Sequence, residues 1–108
     1  MNEQVRELLI TAKDYLQRLQ AGVSNIVDFL RQGGEGKALE QIPLIIEGLK
    51  WLCEALDGTK NYHSIDIVQL NSALEEINVA LENTDYILLG DVLEYELLPV
   101  LEEWFSIL

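Results

Sequence analysis

The groups best suited to chemistry in this chain are the carboxylates near its C-terminal end, Asp91, Glu94, Glu96, Glu102 and Glu103. Asp91 and Glu94 are three residues apart, and Glu96 and Glu103 are seven apart, so each pair shares one side of a helix. Carboxylate oxygens suit Mg²⁺ or Ca²⁺. No EF-hand spacing or phosphate loop accompanies them, which favours a solvated acidic face. A carboxylate-based divalent-metal-binding protein or enzyme stays open as an alternative.

One cysteine and one histidine are the other candidate groups. Cys53 falls on the apolar seam of a helix, where no base is placed to activate it, and this predicts a buried thiol that reacts slowly until the chain unfolds. His63 falls in a turn, as surface and capping histidines do. A tetrahedral zinc site needs more His and Cys than the chain contains. We therefore expect no catalytic, cofactor-binding or metal-binding residue, and no enzyme.

The charge of the chain is divided unevenly. The net charge is −12, and all seven Lys and Arg lie at or before Lys60, among nine Asp and Glu. The remaining residues carry ten carboxylates and His63. A surface of this sign repels nucleic-acid phosphates and anionic lipids, so we expect neither nucleic acid nor membrane as a partner. It suits a basic or hydrophobic protein. An acidic DNA-mimic inhibitor is a further alternative, which requires carboxylates spaced like phosphates.

Length and composition indicate a single domain over residues 1–108. Apolar residues make up 49% of the chain, enough for a core. The first residues include acids where a secretory signal would be basic, and no apolar run reaches the roughly 18–20 residues of a membrane span. The single cysteine fits a reducing compartment. We expect a cytoplasmic protein.

The elements that position these groups are helices, because apolar residues recur at steps of three and four in four segments. The spacing predicts an all-α, antiparallel four-helix bundle with up-down-up-down topology. Its seams are Val5, Leu9, Ala12, Leu16, Leu19, Val23, Ile26 and Leu30; Leu39, Ile42, Ile46, Leu49, Cys53 and Leu56; Ile67, Leu70, Leu74, Ile77 and Leu81; and Tyr86, Gly90, Leu93, Leu97, Val100, Trp104 and Ile107.

Turn residues set the predicted boundaries. Glycines at 33–36 and Gly58 end the first two helices, and Ser64 is a candidate N-cap for the third. The third seam, continued past Leu81, is out of phase with the fourth, so we place a break at residues 83–85.

The middle of each seam predicts the core. Leu16, Leu49, Leu74 and Leu97 should be buried, and Leu74→Ala should cost ~2–5 kcal/mol. Two prolines interrupt the seams. Pro43 and Pro99 each remove a backbone donor and should bend their helices. Pro43 has a second interpretation, as the start of helix two.

Two of the helices carry more apolar surface than one seam uses. With Leu39 at heptad position a, Leu44 and Trp51 fall opposite the seam, and Tyr95 and Phe105 are similarly placed on helix four. Such surface either meets another chain or is turned inward by a splayed bundle. We expect Leu44, Trp51, Tyr95 and Phe105 to bind a partner.

Two segments resemble a known family. Residues 85–99, DYILLGDVLEYELLP, and residues 42–52, IPLIIEGLKWL, are similar to a family of small, acidic, uncharacterised bacterial helical proteins. The resemblance implies an all-helical bacterial cytosolic protein and brings no activity, ligand or catalytic residue.

These observations favour a non-enzymatic, acidic helical module for protein–protein interaction, of adaptor or chaperone-like type. It would bind a protein partner or a second copy of itself as a homodimer. We expect no cofactor.

Overall fold

The computed structural model of this chain describes residues 2–108, which contain helices and turns but no strand. The five α-helices are α1 (Glu3–Arg31), α2 (Glu35–Gly58), α3 (Asn71–Glu82), α4 (Tyr86–Val92) and α5 (Leu98–Ile107). Two 3₁₀ turns, Lys60–Tyr62 and Ile67–Leu70, connect α2 to α3, and one π-helical turn, Leu93–Leu97, joins α4 directly to α5. We call the continuous stretch 86–107 the α4–α5 arm.

The predicted break between the third and fourth helices is confirmed. Thr84 has a positive φ of 48°, and Asp85 caps α4 by accepting a hydrogen bond from a backbone N–H in its first turn. Gly33, with φ of 79°, ends α1 as predicted. Ser64 is not the cap of the third helix. Asp66 instead caps the 3₁₀ turn that leads into α3, because its carboxylate accepts the N–H of Val68, the second residue of that turn.

The two prolines are accommodated differently. α2 begins at Glu35 and continues through Pro43, so the interpretation of Pro43 as the start of helix two is wrong. Pro99 follows the π-helical turn Leu93–Leu97. A proline has no N–H for the carbonyl of Tyr95, its α-helical partner, and the wider π turn carries the chain past this gap.

The bundle has the predicted antiparallel, up-down-up-down topology. α1 packs against α2 on one side and against the α4–α5 arm on another, and α3 packs against the arm. Cross-helix pairs run in opposite directions along each interface, as expected for antiparallel neighbours. They are Tyr15–Trp51 between α1 and α2, Lys13–Phe105 and Arg31–Asp91 between α1 and the arm, and Gln69–Trp104 and Glu76–Glu96 between the third helix and the arm.

The fourth side of the bundle is open. α2 and α3 make little contact with each other. Of the third helix and the turn that leads into it, only the 3₁₀ turn Ile67–Leu70 packs against α2. Leu16, Leu49 and Leu97 are buried as predicted. The prediction that Leu74 is buried is wrong, because Leu74 faces this open side and is only partly covered.

Candidate interaction surfaces

α2 buries one face and leaves apolar side chains on both edges of it. Its inward residues include Ile45, Leu49 and Leu52, which are packed in the core. On the edge nearest α1, Leu44 is 65% exposed and Trp51 is 37% exposed. Leu44 and Trp51 are seven residues apart and therefore lie on one side of the helix. The helix is apolar well beyond its core face, as its sequence predicts.

Trp51 is held in place by an aromatic neighbour on α1. The rings of Tyr15 and Trp51 stack with centroids 5.2 Å apart and planes at 27°. This geometry is an offset stack of the kind that aromatic pairs prefer. The Tyr15 hydroxyl lies over Gly48, where a Cβ would also come within 3.0 Å of Leu19 Cδ2. Gly48 therefore allows the close approach of the two helices that sets the stack.

The four residues Tyr15, Leu44, Gly48 and Trp51 form what we call the α1–α2 ledge. They line an open cleft of about 490 Å³, with Thr11 and Glu47 completing its walls. The ledge combines an aromatic surface with an exposed leucine and a single lining carboxylate. Such a surface suits contact with another protein, because aromatic residues are enriched at interfaces and charged residues are depleted at their centres.

Tyr95 and Phe105 lie apart from the ledge. Phe105 is partly buried, with Lys13 Nζ 4.8 Å from its ring centroid. Lys13 and Tyr15 are two residues apart on α1, which places Phe105 and Trp51 on opposite flanks of that helix. Tyr95 is 67% exposed on the π-helical turn. The structure thus brings Leu44 and Trp51 together, while Tyr95 and Phe105 occupy separate positions.

A second apolar surface lies on the open side of the bundle. Ile46, Leu49 and Cys53 of α2 and Leu74 of α3 line an open cleft of about 440 Å³, with Lys50 and Glu54 at its edge. We call this cleft the α2–α3 groove. The sequence contains its residues as regular seam positions, and periodicity alone assigns them to the core. The groove becomes apparent only from the structure, where α2 and α3 make little contact with each other.

Cys53 is only partly buried, so the prediction of a buried thiol is wrong in degree. Its thiol lies in the apolar wall of the groove, and desolvation raises its pKa. The thiolate is therefore disfavoured, which lowers the reactivity of the side chain. Its rate of reaction in the native protein stays a prediction.

Two of the candidate carboxylates are engaged by one arginine. Arg31 Nη2 at the end of α1 donates to Asp91 Oδ1 at 2.9 Å and to Glu94 Oε2 at 3.2 Å. These hydrogen bonds raise the pKa of Arg31. The guanidinium also lies over Gly90, where a Cβ would come within 3.2 Å of Nη1. The cluster thus joins the end of α1 to the start of the arm.

The remaining candidate carboxylates do not converge. Glu96 faces Glu76 of α3, and a hydrogen bond between them, followed by desolvation and repulsion, raises the pKa of Glu96. Glu102 and Glu103 are exposed on α5. Within residues 2–108, no group of three or more His, Cys, Asp and Glu side chains is placed to hold a metal ion.

His63 is a capping residue, one of the two roles that the sequence predicted. Its Nδ1 accepts the N–H of Ile65 at 3.1 Å, so the ring proton is on Nε2. Nε2 then donates to the carbonyl of Leu56 at 2.9 Å, near the C-terminal end of α2. The imidazole ties the end of α2 to the connection that follows it. This role is structural.

A family model described as a domain of unknown function (DUF8042) matches residues 7–107. The chain belongs to this family. Among the curated proteins and the solved structures, nothing matches the chain. The DUF8042 match runs from the first turns of α1 to the end of α5 and so includes both the ledge and the groove. The resemblance to a family without an assigned activity is confirmed at this level. No helix within the described residues has the length and hydropathy needed to cross a membrane.

Proposed function

We propose that this DUF8042 protein is a non-enzymatic protein-interaction module that forms a homodimer through the α1–α2 ledge. The exposed Leu44 beside the Tyr15–Trp51 stack carries the proposal. Packing two ledges together would remove these apolar surfaces from water, which is a main driving force of association.

The charge distribution supports self-association at this surface. The ledge is formed by α1 and α2, which lie within residues 1–60. This part of the chain carries seven Lys and Arg and nine Asp and Glu, so its net charge is small. Two such surfaces repel each other weakly. The half that contains α3 and the α4–α5 arm carries ten carboxylates and no Lys or Arg. It would repel a second copy, and it is suited to orient a basic partner.

The alternative functions have less support. A metal-binding protein built on the helix-four carboxylates would have to free Asp91 and Glu94 from Arg31. A DNA mimic would need its carboxylates in a phosphate-like array, whereas Glu96 pairs with Glu76 across an interface. Tyr95 and Phe105 remain candidate contacts for a partner other than the second copy. The single cysteine and the family resemblance support a bacterial, cytoplasmic protein.

Sedimentation velocity tests the dimer. The wild type should sediment as a dimer, and Trp51→Asp should shift it toward monomer while its far-UV circular dichroism is unchanged. Ile87→Asp is the matched control, because Ile87 is 75% exposed on α4, away from the ledge, and receives the same charge. A wild type that stays monomeric at high concentration contradicts the proposal. Equal dissociation by both variants would show that added charge, rather than the ledge, is responsible.

A further inference from the structure

We propose that the α2–α3 groove binds a basic amphipathic helix from another protein. The inference rests on the proposed function as an interaction module and names a partner class for a surface separate from the ledge. A helix would enter the fourth, open side of the bundle and complete its packing.

The groove has Ile46 and Cys53 on one side and Leu74 on the other, and helical spacing extends each side into an apolar row. On α2, the row at heptad spacing is Leu39, Ile46 and Cys53, and all three side chains are partly buried. On the opposite side, Ile67, Leu74 and Leu81 have the same spacing and the same partial burial. Both rows follow the pattern of a helix–helix seam. α2 and α3 nevertheless barely touch, so the rows lack the contact that their spacing predicts.

The dimensions of the groove suit a helix. The cleft lining on α2 runs from Ile46 to Glu54, about 12 Å at 1.5 Å per residue, and the row that continues it to Leu39 brings the apolar length to about 21 Å between Leu39 and Cys53, which matches a partner of about four turns. The 3₁₀ turn Ile67–Leu70 packs against α2 and closes the groove near the C-terminal end of that helix. A partner with apolar anchors at i, i+3 or i+4 and i+7 could place them between the two rows.

The charge of the rims selects the partner. Glu54 lines the cleft, and by helical spacing the exposed Asp57 lies next to Cys53 on α2. The α3 side contributes no Lys or Arg, since all of these lie at or before Lys60. Within the described residues, Lys50 is the only cation on these rims. The charge favours a helix with Lys or Arg flanking its apolar face. A second copy of this chain would bring its own net charge of −12 to the same acidic rims.

The test uses a synthetic peptide of about 18 residues with Leu at helical steps of three and four and Lys elsewhere. A scrambled peptide of the same composition is its control, because it keeps the charge and loses the apolar face. Binding is measured by fluorescence anisotropy at physiological salt. The patterned peptide should bind at least about tenfold more tightly than the scrambled one.

Substitutions in the groove separate apolar docking from charge attraction. Leu74→Glu and Ile46→Glu should each weaken patterned-peptide binding by about tenfold or more, although each adds a favourable carboxylate. Ile10→Glu is the matched control, since Ile10 is 59% exposed on α1, which does not line the groove, and binding should stay within about twofold. Unchanged or tighter binding by both groove variants would show that charge alone holds the peptide and would overturn the proposal.

The wild-type protein provides a readout that needs no groove substitution. Cys53 is the only cysteine and lies in the groove wall, so the patterned peptide should slow its alkylation by N-ethylmaleimide. The scrambled peptide should leave the rate unchanged. If, without peptide, the alkylation of Cys53 becomes slower as the protein concentration rises, a second copy of the chain fills the groove. The assignment of the groove to a basic helix from another protein would then be wrong.

Failure of the groove and failure of the dimer can be told apart. Trp51→Asp acts on the ledge, so it should retain peptide binding and peptide protection of Cys53. If Trp51→Asp leaves sedimentation unchanged but the groove results hold, the homodimer is wrong and the groove stands. If the patterned peptide neither binds nor protects Cys53 while Trp51→Asp dissociates a dimer, the groove proposal fails and the ledge stands.

Discussion

The carboxyl groups of Glu76 and Glu96 face each other where α3 packs against the α4–α5 arm, and their interaction raises the pKa of Glu96. When both carboxyl groups are ionised, neither carries a proton that could form a hydrogen bond between them. Glu76 Oε2 is buried and has no hydrogen-bond partner among residues 2–108. A proton on Glu96 allows the pair to form a hydrogen bond and removes the repulsion. The contact with Glu76 therefore disfavours the ionised form of Glu96.

Glu96→Gln should stabilise the protein at neutral pH. The pKa of Glu96 in the folded chain lies above its ordinary value of 4.5. The stability that comes from the protonated pair is therefore fully present below that value and is lost as the pH rises through the folded-state pKa. The difference in melting temperature between Glu96→Gln and the wild type should therefore be small at pH 4 and should widen as the pH rises above 4.5.

Glu102→Gln controls for the general effect of removing one negative charge from an acidic protein, because Glu102 is exposed on α5. Melting curves at several pH values make the comparison. If Glu102→Gln raises the melting temperature as much as Glu96→Gln at every pH, the Glu76–Glu96 contact does not itself destabilise the folded protein.

The helices and their order could be predicted from the sequence because apolar spacing and turn residues are local signals. The break at residues 83–85 follows from a phase change between the third and fourth seams, and the structure places Thr84 at positive φ there. The π-helical turn Leu93–Leu97 was not predicted. Only the bend at Pro99 was foreseen, since periodicity does not distinguish a wider turn from a kink.

The exposed surfaces were harder to predict because they depend on which helices meet. A seam position is buried only if a neighbour covers it, and Leu74 and Cys53 lack that cover since α2 and α3 barely touch. Leu44, Trp51, Tyr95 and Phe105 all lie outside the seams of their helices in the sequence pattern. Leu44 and Trp51 share a cleft, but helix packing turns Phe105 toward Lys13 instead.

Leu74→Ala should cost less than a core leucine does. Leu70 is completely buried whereas Leu74 is partly exposed on the groove, so the transfer and cavity terms are smaller at Leu74. We expect ~1–2 kcal/mol for Leu74→Ala and ~2–5 kcal/mol for Leu70→Ala. Urea denaturation of the two variants gives both values. Equal losses would mean that the groove is closed over Leu74 in solution.

His63→Ala should weaken the connection between α2 and α3. The substitution removes the acceptor for the Ile65 N–H and one donor to the Leu56 carbonyl, both partly buried. A lost hydrogen bond of this kind costs about 1–2 kcal/mol. Urea denaturation measures the loss, with Tyr62→Ala, an exposed neighbour, as the control. A loss no larger than that of the control would show that water replaces both bonds.

Gly48→Ala should destabilise the protein although alanine favours helices. The new Cβ would meet the Tyr15 ring, with Cε1 at 3.2 Å, and Leu19 Cδ2 at 3.0 Å. Tyr15 stacks on Trp51, so moving it away from Gly48 disturbs the ledge. This steric cost should exceed the ~1 kcal/mol that alanine contributes over glycine in a helix.

Gly36→Ala, in the first turn of the same helix, is the matched control, because nothing lies within 4 Å of its added Cβ. It should stabilise the chain by up to ~1 kcal/mol. Thermal melting compares the two variants. A change in tryptophan fluorescence reports on Trp51, because Trp51 stacks on Tyr15 beside Gly48 whereas Trp104 is buried against Gln69. Gly48→Ala should change the emission and lower the melting temperature, whereas Gly36→Ala should leave the emission unchanged. A Gly48→Ala variant as stable as Gly36→Ala, with wild-type emission, would mean that α1 and α2 approach less closely at Tyr15 than the structure shows.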